Sequence, residues 1–200
     1  GGMLKHRTTP KFLTTQTDYY ALLFLSALVG GIAGSVVALF EASIRLIGEQ
    51  RLNFIHSFPY SEYLAPVAAV LAGAAMAAAG FWLTFRFAPE TAGSGIPHIE
   101  GALDGTQEIR WARVLPIKFI AGTLTIGSGM VLGREGPSIQ IGGAVGRMIA
   151  CKGKRFSHSS HILTAAGAAA GLAAAFNAPL AGILFVVEEM RPQFRYNITS

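Results

Sequence analysis

The chain has 200 residues, of which 52% are hydrophobic and only 14% are charged. Soluble globular domains carry about 25% charged residues, so this composition indicates an integral membrane protein. The formal net charge is +5, but the cations stand in short clusters between apolar runs. Such a distribution is typical of membrane-protein loops and argues against a nucleic-acid-binding surface.

The basic clusters also predict the orientation of the chain. Under the positive-inside rule we expect both of them to be cytoplasmic. They comprise Lys5, His6, Arg7, Lys11, Arg147, Lys152, Lys154 and Arg155. Residues 1–18 are therefore predicted to be a cytoplasmic segment and residues 19–200 a membrane domain. No cleavable signal peptide is expected, because the first apolar run is too long.

The sequence offers no metal or disulfide chemistry. The single cysteine, Cys151, cannot form an internal disulfide. His158 and His161 lack further cysteine, histidine or carboxylate residues nearby that would complete a zinc site. We therefore predict no metal and interpret these histidines as loop residues.

Two long apolar runs predict the first two membrane-spanning helices. Residues 19–40 are uncharged, and their apolar character continues to residue 47. About 20 helical residues at 1.5 Å each cross a hydrocarbon core of about 30 Å. We expect a polar connection over residues 48–62 and a second spanning helix over residues 63–85. A GxxxG pattern at residues 30–34 predicts close helix packing, and residues 142–146 repeat it.

Small residues followed by a proline interrupt the apolar pattern at residues 90–97. They predict a short helix over residues 97–105, which cannot span a bilayer. Ser94 stands at the entrance of this helix, where a hydroxyl has two possible roles. It caps backbone N–H groups, or it donates a hydrogen bond to a bound anion.

The third long helix is predicted over residues 111–127, entered through Trp111, Arg113 and Lys118. It leads without an ordinary polar loop into the stretch that begins at Gly129. Between residues 119 and 146, Arg134 and Glu135 are the only ionisable residues. A charge near the bilayer centre costs at least about 2.5 to 3.5 kcal/mol, so such a residue is by default a functional-site hypothesis.

The backbone around this charged pair has the chemistry of an anion site. Gly133 and Gly136 let the chain leave helical geometry, and Pro137 predicts the start of a helix over residues 137–149. The free N–H groups at such a helix start favour negative charge. The alternative is that Glu135 only complements the helix dipole, which is worth roughly 0.3 to 1 kcal/mol.

The last apolar run, residues 162–187, is broken at residues 176–179. A proline there predicts two short helices that meet inside the membrane. The second ends in Glu188 and Glu189, at a helix terminus that is already negative. These acids either have a specific task or form a solvated rim that Arg191 and Arg195 neutralise.

Three interruptions that each feed a helix N-terminus are the means by which transporters bind an anion near mid-membrane. Their sequences are GSGIP at residues 93–97, GREGP at residues 133–137 and FNAPLAGILFVVEEMRPQF at residues 176–194. Together they resemble the CLC family of chloride channels and chloride/proton antiporters, particularly its bacterial exchangers. The resemblance extends from residue 19 to residue 200.

The resemblance implies an all-α, polytopic membrane protein with full-length and broken re-entrant helices, forming one half of an inverted-repeat transporter. It implies chloride transport coupled to proton antiport across the bacterial inner membrane, with chloride and protons as substrates. No enzymatic activity, organic cofactor or nucleic-acid partner is implied. Complete subunits are expected to form homodimers.

Individual roles follow from the same resemblance. Ser94 is expected to coordinate chloride, Glu135 to be the gate that also carries the proton, and Glu189 to transfer protons internally. Ser94 favours chloride over nitrate or fluoride, and His98 stands where bacterial relatives carry an acid. The remaining residues expected at the chloride site are Gly95, Ile96, Gly133, Arg134 and Gly136.

The chain resembles only the amino-terminal half of the family, because the motifs of the second half are absent from it. We therefore expect the carboxy-terminal half as a partner. Two other classes of function are alternatives to transport. A non-transporting membrane scaffold stays open, whereas a membrane hydrolase using Ser94 or Ser138 lacks a paired base in the apolar segments.

Overall fold

The structure is a computed structural model that describes residues 16–57, 64–152 and 159–189. Over these ranges it contains only helices, turns and short connections, which confirms the predicted all-α class. The α-helices are α1 Gln16–His56, α2 Leu64–Phe87, α3 Ile96–Leu103, α4 Trp111–Gly127, α5 Glu135–Lys152, α6 Ser160–Phe176 and α7 Pro179–Glu189, and a 3-10 turn spans Pro89–Thr91.

Several predictions fall on residues outside the described ranges. They concern residues 1–15 of the cytoplasmic segment and polar residues of the predicted loops and inner rim. The named residues are Lys5, His6, Arg7, Lys11, Lys154, Arg155, His158, Arg191 and Arg195. The prediction of a loop was wrong for His161, which lies in the first turn of α6.

The first two helices are long and apolar enough to cross a membrane, over Tyr19–His56 and Leu64–Phe87. The prediction of a polar connection was wrong for residues 48–56, which continue α1. This stretch contains no proline, and residues 49–52 are Glu, Gln, Arg and Leu, all good helix formers. Large side chains such as Phe24 and Leu71 are mostly exposed. Such apolar surfaces are those that lipid or another protein covers.

The closest helix contact lies between α5 and α6. Gly142 and Gly146 meet the backbone of Gly167 and Leu163 so closely that a Cβ at either glycine would overlap a carbonyl oxygen. This confirms the close packing predicted for residues 142–146. At residues 30–34 of α1 a Cβ would meet no described atom of the chain within 4 Å, so close packing there stays a prediction.

A buried core joins α3, α4, α5 and α6. Its largest contributors include Ile99, Val114, Ile139 and Leu172. The ring of Phe40 on α1 packs edge-to-face against Phe119 on α4, with centroids 5.5 Å apart. The core therefore fixes the start of α5 relative to α3 and α4.

The predicted helix breaks are present. α6 ends at Phe176, Asn177 adopts a left-handed conformation with φ 53°, and α7 begins at Pro179. α5 begins at Glu135, two residues before the predicted start at Pro137. Proline is tolerated in this first turn because its missing N–H has no intrahelical acceptor there.

Candidate functional site

A groove of about 940 Å³ opens beside α2, the connection between α2 and α3, α4 and the first turn of α5. Five of the residues expected at the chloride site or the gate line it together. They are Ser94, Ile96, Gly133, Glu135 and Gly136. The N-terminal ends of α3 and α5 therefore face one space, although their motifs are about 40 residues apart in the sequence.

The start of α3 is shaped by glycine. Gly95 is the N-cap residue and has φ 87°, a left-handed conformation that favours glycine. Ser94 is exposed to the groove, and its Oγ accepts a long hydrogen bond of 3.4 Å from the backbone N–H of Ile96. In that arrangement the Ser94 hydroxyl caps the helix weakly and keeps its hydrogen available for an acceptor.

The start of α5 lies directly against this connection. A Cβ at Gly136 would overlap the carbonyl oxygen of Ser94, so only glycine allows this approach. The carboxylate of Glu135 lies beside Gly133, where a Cβ would overlap its Oε2. The unpaired N–H groups and the positive dipole end of α5 thus lie next to Ser94 and Glu135.

Arg134 points away from the groove. Its Nε lies 3.4 Å from Oε1 of Glu41 on α1, and its side chain is not among those that line the cavity. Glu41 was not among the residues predicted at the site. The available signal was a carboxylate inside a long apolar helix, which needs a partner.

Lys118 was wrongly interpreted as a residue at the membrane entrance of α4. Its side chain is buried, with 5% of the residue exposed, and it lines the groove. Its Nζ donates hydrogen bonds to the carbonyl oxygens of Thr91 at 2.8 Å and Gly93 at 2.7 Å. A buried cation thereby holds the turn that leads to Ser94. A lysine seven residues inside an apolar helix was the signal for this role.

A second set of polar contacts holds the same turn. Arg110 donates two hydrogen bonds to the carboxylate of Glu90, at 2.9 and 2.8 Å. Partial burial acts to raise the pKa of the Glu90 carboxyl, but the hydrogen bonds and charge of Arg110 outweigh it, so the pKa lies below its ordinary value. Gln140 of α5 contacts the carbonyl of Glu90 and the ring of His98. The spacing of these residues gave no indication of the contacts.

The third predicted interruption lies apart from this groove. Glu189 is the last residue of α7, and only its backbone is described. Of the described residues, none from α6 or α7 lines the cavity. Gly95 also contributes no lining atom and is packed against α5 instead. The first two motifs thus line one groove, and the described residues of the third motif do not line it.

Residues 74–200 match the family described as voltage-gated chloride channels. The chain is 54% identical over 191 residues to the H(+)/Cl(-) exchange transporter ClcA of Vibrio cholerae serotype O1, a match that covers 95% of the chain and 41% of that protein. It is 52% identical over 181 residues to ClcA of Klebsiella pneumoniae, covering 90% of the chain and 38% of that protein.

A solved structure is also similar. The X-ray crystal structure of a slow cyanobacterial Cl-/H+ antiporter matches with a TM-score of 0.83 and 44% sequence identity, over 88% of this chain and 41% of that one. The chain therefore spans about two fifths of the length of these relatives.

Proposed function

Because the chain belongs to the voltage-gated chloride channel family, we propose that it forms the amino-terminal half of a chloride/proton exchanger in a bacterial inner membrane. In this proposal a complete subunit consists of this chain and a carboxy-terminal half that completes an inverted repeat. Complete subunits pair as homodimers. Chloride and protons are the substrates, and no organic cofactor takes part.

One observation carries this proposal. Ser94 and Glu135 belong to different motifs, yet both line the same groove beside two helix N-termini. An anion in the groove would accept hydrogen bonds from the Ser94 hydroxyl and from the free N–H groups of α5. When ionised, the carboxylate of Glu135 competes with the anion for the positive end of α5. When protonated, it is neutral and no longer competes. One side chain can thus gate chloride and carry a proton.

The buried amine of Lys118 supports the same function. It binds the carbonyl oxygens of Thr91 and Gly93, whose partial negative charge would otherwise act on an anion at Ser94. The lysine compensates for these dipoles and adds positive charge to the groove wall. We infer that Lys118 favours anions without contacting them.

The decisive experiment measures proton uptake driven by a chloride gradient in liposomes that contain the complete subunit. Glu135→Gln should abolish proton uptake while chloride still passes, because the amide neither ionises nor carries a proton. Glu49→Gln is the matched control, since Glu49 lies on the exposed surface of α1. Proton uptake that persists in Glu135→Gln would refute the role of Glu135. Absence of any chloride flux in the unmodified protein would favour a membrane scaffold.

A further inference from the structure

One face of α5 contacts the connection that carries Ser94 at three points. Gly136 touches the backbone of Ser94. Gln140 lies four residues later, on the same face of the helix. It contacts residues on both sides of Ser94, Glu90 in the connection and His98 in α3. Its Nε2 donates to the carbonyl oxygen of Glu90 at 3.0 Å and pairs with Nδ1 of His98 at 3.0 Å.

The surroundings of Gln140 leave its amide little freedom. The residue is fully buried. A Cβ at Gly95 would stand 2.5 Å from Oε1 and 2.7 Å from Cβ of Gln140, so the glycine backbone fits directly against this side chain. Rotation of the amide would also leave the part-buried carbonyl of Glu90 without this donor. The position of the connection is thereby coupled to that of α5.

This coupling determines the geometry of the anion site. Ser94 lies between the two points that Gln140 holds, and Glu135 lies in the first turn of the helix that carries Gln140. Groups that bind one ion must be held within about 0.5 Å of the productive geometry by the residues around them. We propose that Gln140 is the positioning residue that sets the distance between Ser94 and the N-terminus of α5.

His98 is the second residue in this arrangement, because it is the side-chain partner of Gln140. The side-chain nitrogen of glutamine can only donate, so Nδ1 of His98 accepts and carries no hydrogen. The contact therefore needs an acceptor at position 98 but no charge there. Glutamine at this position retains an acceptor, whereas leucine does not.

This inference rests on the proposed function, and its test uses the complete subunit in liposomes. The readouts are the chloride concentration for half-maximal uptake and the maximal rate. Gln140→Met keeps the length of the side chain but removes its donor. We expect the half-maximal concentration to rise by at least about three- to tenfold, which is the effect of losing one hydrogen bond, because this variant loses two. The change in maximal rate should be smaller.

Four further variants make the test specific. His98→Leu should reproduce the part of the Gln140→Met effect that comes from the contact with His98. The double variant should be no worse than Gln140→Met alone, because that variant already removes this contact. His98→Gln should keep the chloride affinity of the unmodified subunit, because glutamine provides an acceptor where leucine does not. Thr123→Val is the matched control, because the buried Oγ1 of Thr123 has no partner among the described residues.

The outcomes separate this inference from the proposed function. If the unmodified subunit transports chloride and folded Gln140→Met and His98→Leu keep its affinity, Gln140 has no positioning role. Additive losses in the double variant, or an equal loss in Thr123→Val, would overturn it equally. Absence of chloride uptake by the unmodified subunit would instead refute the proposed function itself.

Discussion

The carboxylate of Glu41 on α1 lies 3.4 Å from the Nε of Arg134, the residue that precedes Glu135. The Glu41 side chain is 14% exposed and that of Arg134 is 47% exposed. The pair therefore links the long first helix to the connection between α4 and α5. It also neutralises one of the two charges that the apolar stretch around residue 134 contains.

We expect Glu41→Gln to destabilise the complete subunit by up to about 1 kcal/mol, because half of the Arg134 side chain reaches solvent and weakens the pair. Unfolding in detergent measures the change. Arg134→Gln and the double variant complete the cycle, and the second substitution should then add little. Fully additive effects would show that the two side chains do not interact.

A second prediction concerns Ser94. If its hydroxyl donates to chloride, Ser94→Ala should weaken binding by about 1.5 to 3 kcal/mol at most, the value of one hydrogen bond to a charged group. Calorimetric titration of the complete subunit with chloride measures it. Ser35→Ala is the matched control, because the Ser35 hydroxyl donates to the carbonyl of Gly31 within α1. An unchanged isotherm for Ser94→Ala would reduce this serine to a helix cap.

A third prediction concerns Glu189 at the end of α7. An acid at a negative helix end is electrostatically costly, which suggests that it has a specific task. Glu189→Gln should stop proton movement and leave chloride binding nearly unchanged, as measured by parallel flux and titration. The exposed neighbour Glu188 offers the control variant Glu188→Gln. Equal loss of proton movement and chloride binding in Glu189→Gln would indicate a structural rim.

A fourth prediction is that these 200 residues do not transport by themselves. Inverted-repeat carriers bind their substrate at the interface of two halves, so one half presents an open groove. Backbone groups that face hydrocarbon without partners cost several kcal/mol each. Purified chain in liposomes should show no chloride-driven proton uptake, and co-expression with the carboxy-terminal half should restore it. Robust uptake by the chain alone would contradict the half-transporter proposal.

Much of the architecture was predictable from local chemistry. The break at residues 176–179 and the short helix after Ser94 were recognised because proline and glycine act on their own backbone and immediate neighbours. The polar stretch over residues 48–56 was predicted to be a connection but continues α1. Charged residues with high helix propensity continue a helix as readily as apolar ones.

The sequence by itself determined the composition of the membrane domain, the helix breaks and the motifs that surround Ser94 and Glu135. Only the tertiary structure decided which breaks meet. Lys118 binds Thr91, 27 residues away, and Gln140 binds Glu90, 50 residues away. These partners depend on how α3, α4 and α5 pack around their shared core. No local spacing records such contacts, because residues distant in the chain become neighbours only when the core forms.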